Sequence, residues 1–183
     1  MEKKYKKGKL AKQILTGLAV GGLAVATIAM PGLAQIFTLF KIENGKDRKR
    51  IWQTAKNLQN KKYIRIYAKN GEEVVELTDK GKKKILQYKI EEIAIKKPKK
   101  WDGLWRIVIF DIPEKRRGAR GAINFKLKEI GMFPIQKSTF ISPYECGDEI
   151  DFIGQYFFVR NHIIYMVAKE IDNELKIKKY FGL

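Results

Sequence analysis

The chain has 183 residues, 45% of them hydrophobic, enough for one large or two small domains with a real core. Its net charge is +18 and unevenly spread: residues 1–100 hold 25 basic and 9 acidic residues, residues 101–183 hold 13 and 11. The first half therefore calls for a polyanion, either nucleic acid or an anionic membrane surface, and the second does not. One cysteine (Cys146) and one histidine (His162) exclude an intrachain disulfide and a zinc site built by a single chain. A lone cysteine fits a reducing compartment, and the cytoplasm is the expected location.

Six lysines fall within residues 1–12, and no further charge appears until Lys41. Between them Ile14–Met30 is almost wholly apolar and small. Its length is at the lower limit of a membrane span, and a basic flank followed by an apolar run also fits a signal peptide. The rival is a buried helix, which the following segments need as a packing partner, and this is the preferred reading. Pro31 opens a second helix as a first-turn proline, with Leu33, Ile36, Phe37 and Phe40 on its apolar face. Asn44-Gly45 reads as a turn.

A third helix is predicted over Asp47–Asn60, with Ile51, Ala55 and Leu58 inward and Trp52 beside them. Its other face carries Arg48, Lys49, Arg50, Gln53, Lys56, Asn57 and Asn60, side chains suited to phosphates and base edges. Tyr63–Tyr67 alternates as a strand, Lys69-Asn70-Gly71 is a hairpin signal, and Glu73–Leu77 is the return strand. Thr78 caps a short basic helix over Asp79–Tyr88. Three helices and a β-hairpin give the order of a winged helix-turn-helix, expected over residues 1–95. Arg48, Lys49, Arg50, Gln53, Lys56 and Asn57 would enter the major groove, with Lys69 and Asn70 on the wing. The run K-K-P-K-K-W-D-G makes 96–104 a linker.

Residues 105–183 read β-α-β-β-α-β. Trp105–Ile112 is rich in β-branched and aromatic residues, as a strand buried on both faces requires, and Asp111 interrupts it. A carboxylate closing such a strand is costly unless capped, paired or bound to a metal. The preferred reading is that Asp111 caps or pairs with the basic helix Arg116–Ile130. Phe133–Gln136 and Ser138–Ser142 are short strands. Tyr144–Phe158 is a helix with an acidic start, and Ile163–Ala168 is the last strand, with His162 in a structural role at its opening. Glu174–Leu183 is a basic tail. The expected fold class is α+β, a winged helix-turn-helix followed by a ferredoxin-like domain.

The segments W-R-I-V-I-F-D-I-P-E-K-R-R, L-K-E-I-G and Q-K-S-T-F-I-S-P-Y resemble the CRISPR-associated Cas-two superfamily. The matching positions are Asp111, Arg116, Arg117, Ser138 and Phe140. With W-D-G-x-W-R before the strand and P-Y after it, the segment is similar to the Cas-two-like domain of PaaX-type transcriptional repressors, which also carry an N-terminal winged helix. The resemblance implies a homodimer through the ferredoxin-like domains. It also implies that Asp111 from two subunits can hold Mg²⁺ or Mn²⁺, although a regulator requires no cofactor. The expected function is a dimeric, sequence-specific regulator of double-stranded DNA. The alternative is a metal-dependent nuclease, or a non-catalytic adaptor for a CRISPR integrase. A membrane partner is not expected.

Overall fold

The computed structural model describes residues 7–21, 36–37, 39–42, 44–69 and 72–183. It divides into two compact units, Met1–Lys89 and Ile90–Leu183.

In the first unit α1 spans Lys7–Gly21. It starts a full two turns before Ile14, because Leu10 extends the apolar face formed by Ile14 and Leu15, and all three are buried. Residues 22–30 of the apolar stretch, Pro31 and Leu33 lie outside the described residues. Ile36 is buried and helical, and Phe37 and Phe40 pack against the same core. No helix among the described residues is long and apolar enough to cross a membrane.

Helix α2 runs Gly45–Asn60. Asn44-Gly45 is its start rather than a free turn: the Asn44 side-chain oxygen accepts from the Asp47 N–H at 2.9 Å, satisfying an amide that the first turn would orphan. Ile51, Ala55 and Leu58 face the core as their spacing requires, and each fully buried aliphatic side chain contributes about 1.5–3 kcal/mol. Strand β1 (Ile64–Lys69) pairs antiparallel with β2 (Glu72–Leu77), Lys69 opposite Glu72. Asn70 and Gly71 lie outside the described residues. Helix α3 (Asp79–Glu92) extends past Tyr88 because Ile90 still has a core to enter. The Thr78 hydroxyl caps it, accepting from the Gly81 N–H at 3.1 Å and donating to the Lys62 carbonyl at 2.6 Å.

Ile85 and Tyr88 belong to the first core, whereas Ile90 and Ile95 are buried in the second, with Ile93 packed against it. Residues 90–95, expected in the first domain, thus pack with the second unit. Its sheet has the order β4-β5-β3-β6, all antiparallel: β3 is Trp105–Phe110, β4 Phe133–Gln136, β5 Thr139–Ser142 and β6 Ile163–Ala168. Helices α4 (Arg117–Glu129) and α5 (Gly147–Tyr156) supply Ile123, Leu127, Ile150 and Ile153 to the core around Val108, Phe110 and Phe140. Helix α5 starts three residues later than Tyr144, since the Ser142 hydroxyl accepts the Tyr144 N–H at 3.0 Å and holds a turn there. Residues 174–183 are more than a tail. Helix α6 (Glu174–Phe181) buries Ile177 against Trp105 and Ile141 on the opposite sheet face.

Candidate nucleic-acid interface

The polar face predicted for the third helix is the solvent face of α2. Arg48, Lys49, Trp52, Gln53 and Asn57 are exposed and Lys56 is half-buried. Arg50 is half-buried at the edge of this face, where its carbonyl accepts the Thr54 hydroxyl at 2.8 Å. The reading that put Trp52 beside the apolar positions fails. Successive helix residues turn by about 100°, so the position after buried Ile51 points away from the core. The indole is 46% exposed. The Lys56 ammonium stands 5.6 Å from its ring centroid, and the Arg48 guanidinium 5.3 Å from that of Phe37. Phe37, Gly45, Arg48, Lys49 and Trp52 line an open cleft of about 490 Å³.

The hairpin contributes less free charge than its sequence suggests. Arg65 binds Glu76 through Nε at 2.9 Å and Nη2 at 2.7 Å, and the Tyr67 hydroxyl donates to the same carboxylate oxygen at 3.1 Å. The Arg65 hydrogen bond, followed by that from Tyr67, holds the Glu76 carboxyl below its usual range. Lys69 lies in β1 at the last paired position, and Asn70 lies outside the described residues. On α3, Lys80 stacks over Tyr63 and Lys84 over Tyr88, adding cations around the same unit.

In the second unit, Asp111 and Ser138 lie at the end of β3, and Phe140 lies opposite Val108 within the sheet. Asp111 follows that strand, its N–H donating to the His162 carbonyl at 3.0 Å, while the Phe110 N–H donates to the Ser138 carbonyl at 3.0 Å. Phe140 is buried and stacks on Phe110 with centroids 6.1 Å apart. Arg116 donates to the Phe158 carbonyl at 2.6 Å, and Arg117 is exposed.

Asp111 does not cap or pair with the following helix. Its side chain is exposed, the short 3₁₀ turn Glu114–Arg116 intervenes, and α4 has no side-chain cap. The strand ends at Phe110, so the carboxylate escapes the burial that would have demanded a partner. The sequence also gave no sign that His162 would lie beside Asp111, which the sheet register brings about. No group of three or more His, Cys, Asp or Glu able to hold a metal occurs among the described residues. A divalent ion at Asp111 would therefore need the same carboxylate from a second subunit, with water and phosphate completing its shell.

The W-D-G-x-W-R motif has a structural explanation. Arg106 is buried and binds both Asp102 oxygens, Nη1 at 2.7 Å and Nη2 at 2.5 Å. It also reaches Glu145 at 3.2 Å and the Leu104 and Pro143 carbonyls at 2.9 and 3.1 Å. Asp102 turns back to accept the Leu104 N–H at 3.0 Å, through Gly103 at φ +80°, a conformation that glycine adopts without strain. Trp101 and Trp105 pack with centroids 4.8 Å apart. The Arg106 hydrogen bond pulls the Asp102 carboxyl down to about 2. Glu145 also accepts from the Gly147 N–H and the Tyr165 hydroxyl and is held low, the Gly147 bond contributing most. Burial pushes the Cys146 thiol up to about 12, so the lone cysteine is a core residue.

Residues 98–178 match the family model described as the PaaX protein central Cas2-like domain. No curated protein matches the chain.

Proposed function

We propose, from the match of residues 98–178 to the PaaX central Cas2-like domain, that this chain is a dimeric transcriptional regulator that binds duplex DNA. The observation that carries the reading is the exposed face of α2, where Arg48, Lys49, Gln53, Lys56 and Asn57 share one side of a helix packed through the other. Such a face supplies both phosphate contacts and base-edge contacts. The order α1, α2, β-hairpin, α3, with the helical residues Ile36–Phe37 before α2, supports a winged helix-turn-helix with α2 as the reading helix. The strand order β4-β5-β3-β6 with its β-α-β-β-α-β connections supports a ferredoxin-like second domain. A homodimer joined through that domain would set two reading helices on two half-sites.

The test is electrostatic and positional. The purified chain should protect one site or a pair of half-sites in the DNA upstream of its own gene. With about 6 or more phosphates neutralised per dimer, log affinity should fall against log salt with a slope of about −5 or steeper. A slope near zero, or no protection at low salt, overturns the reading.

A metal-dependent nuclease is favoured by one observation, the unpaired carboxylate of Asp111. That reading needs Asp111 of a second subunit to complete a metal site, since no group of three or more His, Cys, Asp or Glu able to hold an ion occurs among the described residues.

A further inference from the structure

We infer that Trp52 is a base-contacting residue of the reading helix, packing its indole on the C5-methyl group of a thymine in the major groove. The inference deepens the DNA-binding reading and rests on it. Of the exposed positions on α2, Trp52 alone carries a large apolar side chain. A ring left nearly half in water forgoes much of the stabilisation its burial would bring. Its setting accounts for that exposure.

Gly45, Lys49, Trp52 and Lys56 follow one another at helical spacing, so the indole shares one stripe of the solvent face with two lysines. A Cβ built at Gly45 meets nothing within 4 Å, so the cleft in front of the ring stays open on that side. Among the described residues, the charged side chains that line the cleft are cationic. Lys49 and Arg48 line the cleft, and the Lys56 ammonium stands over the indole. An anionic partner whose contact surface also offers an apolar group fits this arrangement. A duplex does so: phosphates border the groove, and thymine alone among the bases presents a methyl group there. The lysines would then hold the helix in register on the backbone while Trp52 discriminates thymine from cytosine and from uracil.

The experiment starts from a pool of random-sequence duplexes, from which the full-length protein selects its preferred site. Each thymine of the selected duplex is then replaced in turn by uracil, which removes only the methyl group. Affinity is measured for the wild type, Trp52→Ala and Trp52→Phe. Because the ring is exposed, the variants should melt within a few degrees of the wild type, and thermal melting checks this. The wild type should lose about four-fold in affinity at one thymine, the worth of one buried methyl group. Trp52→Ala should bind more weakly and show no such loss, and Trp52→Phe should retain part of it. The salt slope should be the same in all three. If no thymine-to-uracil change affects the wild type, or if Trp52→Ala shows the same loss, the inference is overturned while DNA binding stands. If no duplex is enriched and none is bound at low salt, the DNA-binding reading itself has failed.

Discussion

Arg106 enters the second unit from β3 and is held by two carboxylates and two main-chain carbonyls. A buried guanidinium stripped of its main partner would be left under-neutralised, which is the expensive case for a buried charge. Asp102→Ala should therefore destabilise the second unit. Because Asp102 is half exposed and water screens the pair, the cost should be about 2 kcal/mol rather than the larger figure for a fully buried bridge. The pH dependence has a definite sign. Folding lowers the Asp102 pKa from 3.8 to about 2, so the ion pair contributes fully above the unfolded value and is lost as pH falls through the folded one. Urea unfolding at about pH 5 and about pH 2.5 should show a drop in the wild type that is smaller in Asp102→Asn. An equal drop in both would assign the acid sensitivity elsewhere. Asp111 makes the opposite case. Its exposed, unpaired carboxylate predicts that Asp111→Asn changes stability by less than about 0.5 kcal/mol. The same variant tests the nuclease alternative: cleavage that needs Mg²⁺ and disappears in Asp111→Asn would establish it.

At the scale of elements, the tightest junction in the first unit is where α3 leaves the hairpin. A Cβ at Gly81 would meet the Tyr63 carbonyl oxygen at 2.1 Å, and that same oxygen accepts the Thr78 N–H at 3.1 Å. The obstacle is backbone, so α3 must move away from the start of β1. Gly81→Ala should lower the stability of the first unit by about 1–3 kcal/mol despite alanine's better helix propensity. Thr78→Ala, which removes the cap and the hydroxyl's bond to the Lys62 carbonyl without a clash, should cost about 1 kcal/mol. Chemical denaturation followed by circular dichroism ranks the two. Strands β3 to β6 were legible in sequence because their β-branched runs are bounded by turn residues. Helix α2 was legible because Ile51, Ala55 and Leu58 keep helical spacing. What escaped was long-range or directional. Whether Trp52 joins Ile51 in the core depends on a rotation that composition does not carry. That α6 covers part of the sheet depends on how the chain returns after β6. The exposure of Asp111 depends on where β3 stops.

At the scale of the whole molecule, the second unit leaves part of its sheet bare. The two core helices cover the face of Val108, Phe110 and Phe140, and α6 covers Trp105 and Ile141 on the other. On β6 the pleat sends Ile163 inward, and its neighbours Ile164 and Met166, opposite Ile109 and Ile107, outward. Ile164 is 58% exposed and Met166 40%. An edge strand with such an apolar row invites a second copy, since unpaired strand edges and exposed apolar surface are otherwise aggregation hazards. The proposed function calls for a dimer, because a regulator reading two half-sites needs two reading helices per complex, and we predict that this dimer is seated on this surface. Ile164→Lys, which places a charge in the middle of that surface, should shift the protein from dimer to monomer in light scattering while the melting temperature stays within a few degrees. Phe158→Ser is the control: that side chain is 84% exposed but belongs to the loop beyond α5, and its loss should leave the dimer intact. In the monomeric variant the DNA footprint should shrink to a half-site, and the salt slope should fall to about half, because each chain then neutralises only its own phosphates. A variant that remains dimeric would place the interface elsewhere, and one that becomes monomeric with an unchanged footprint would separate dimerisation from DNA recognition.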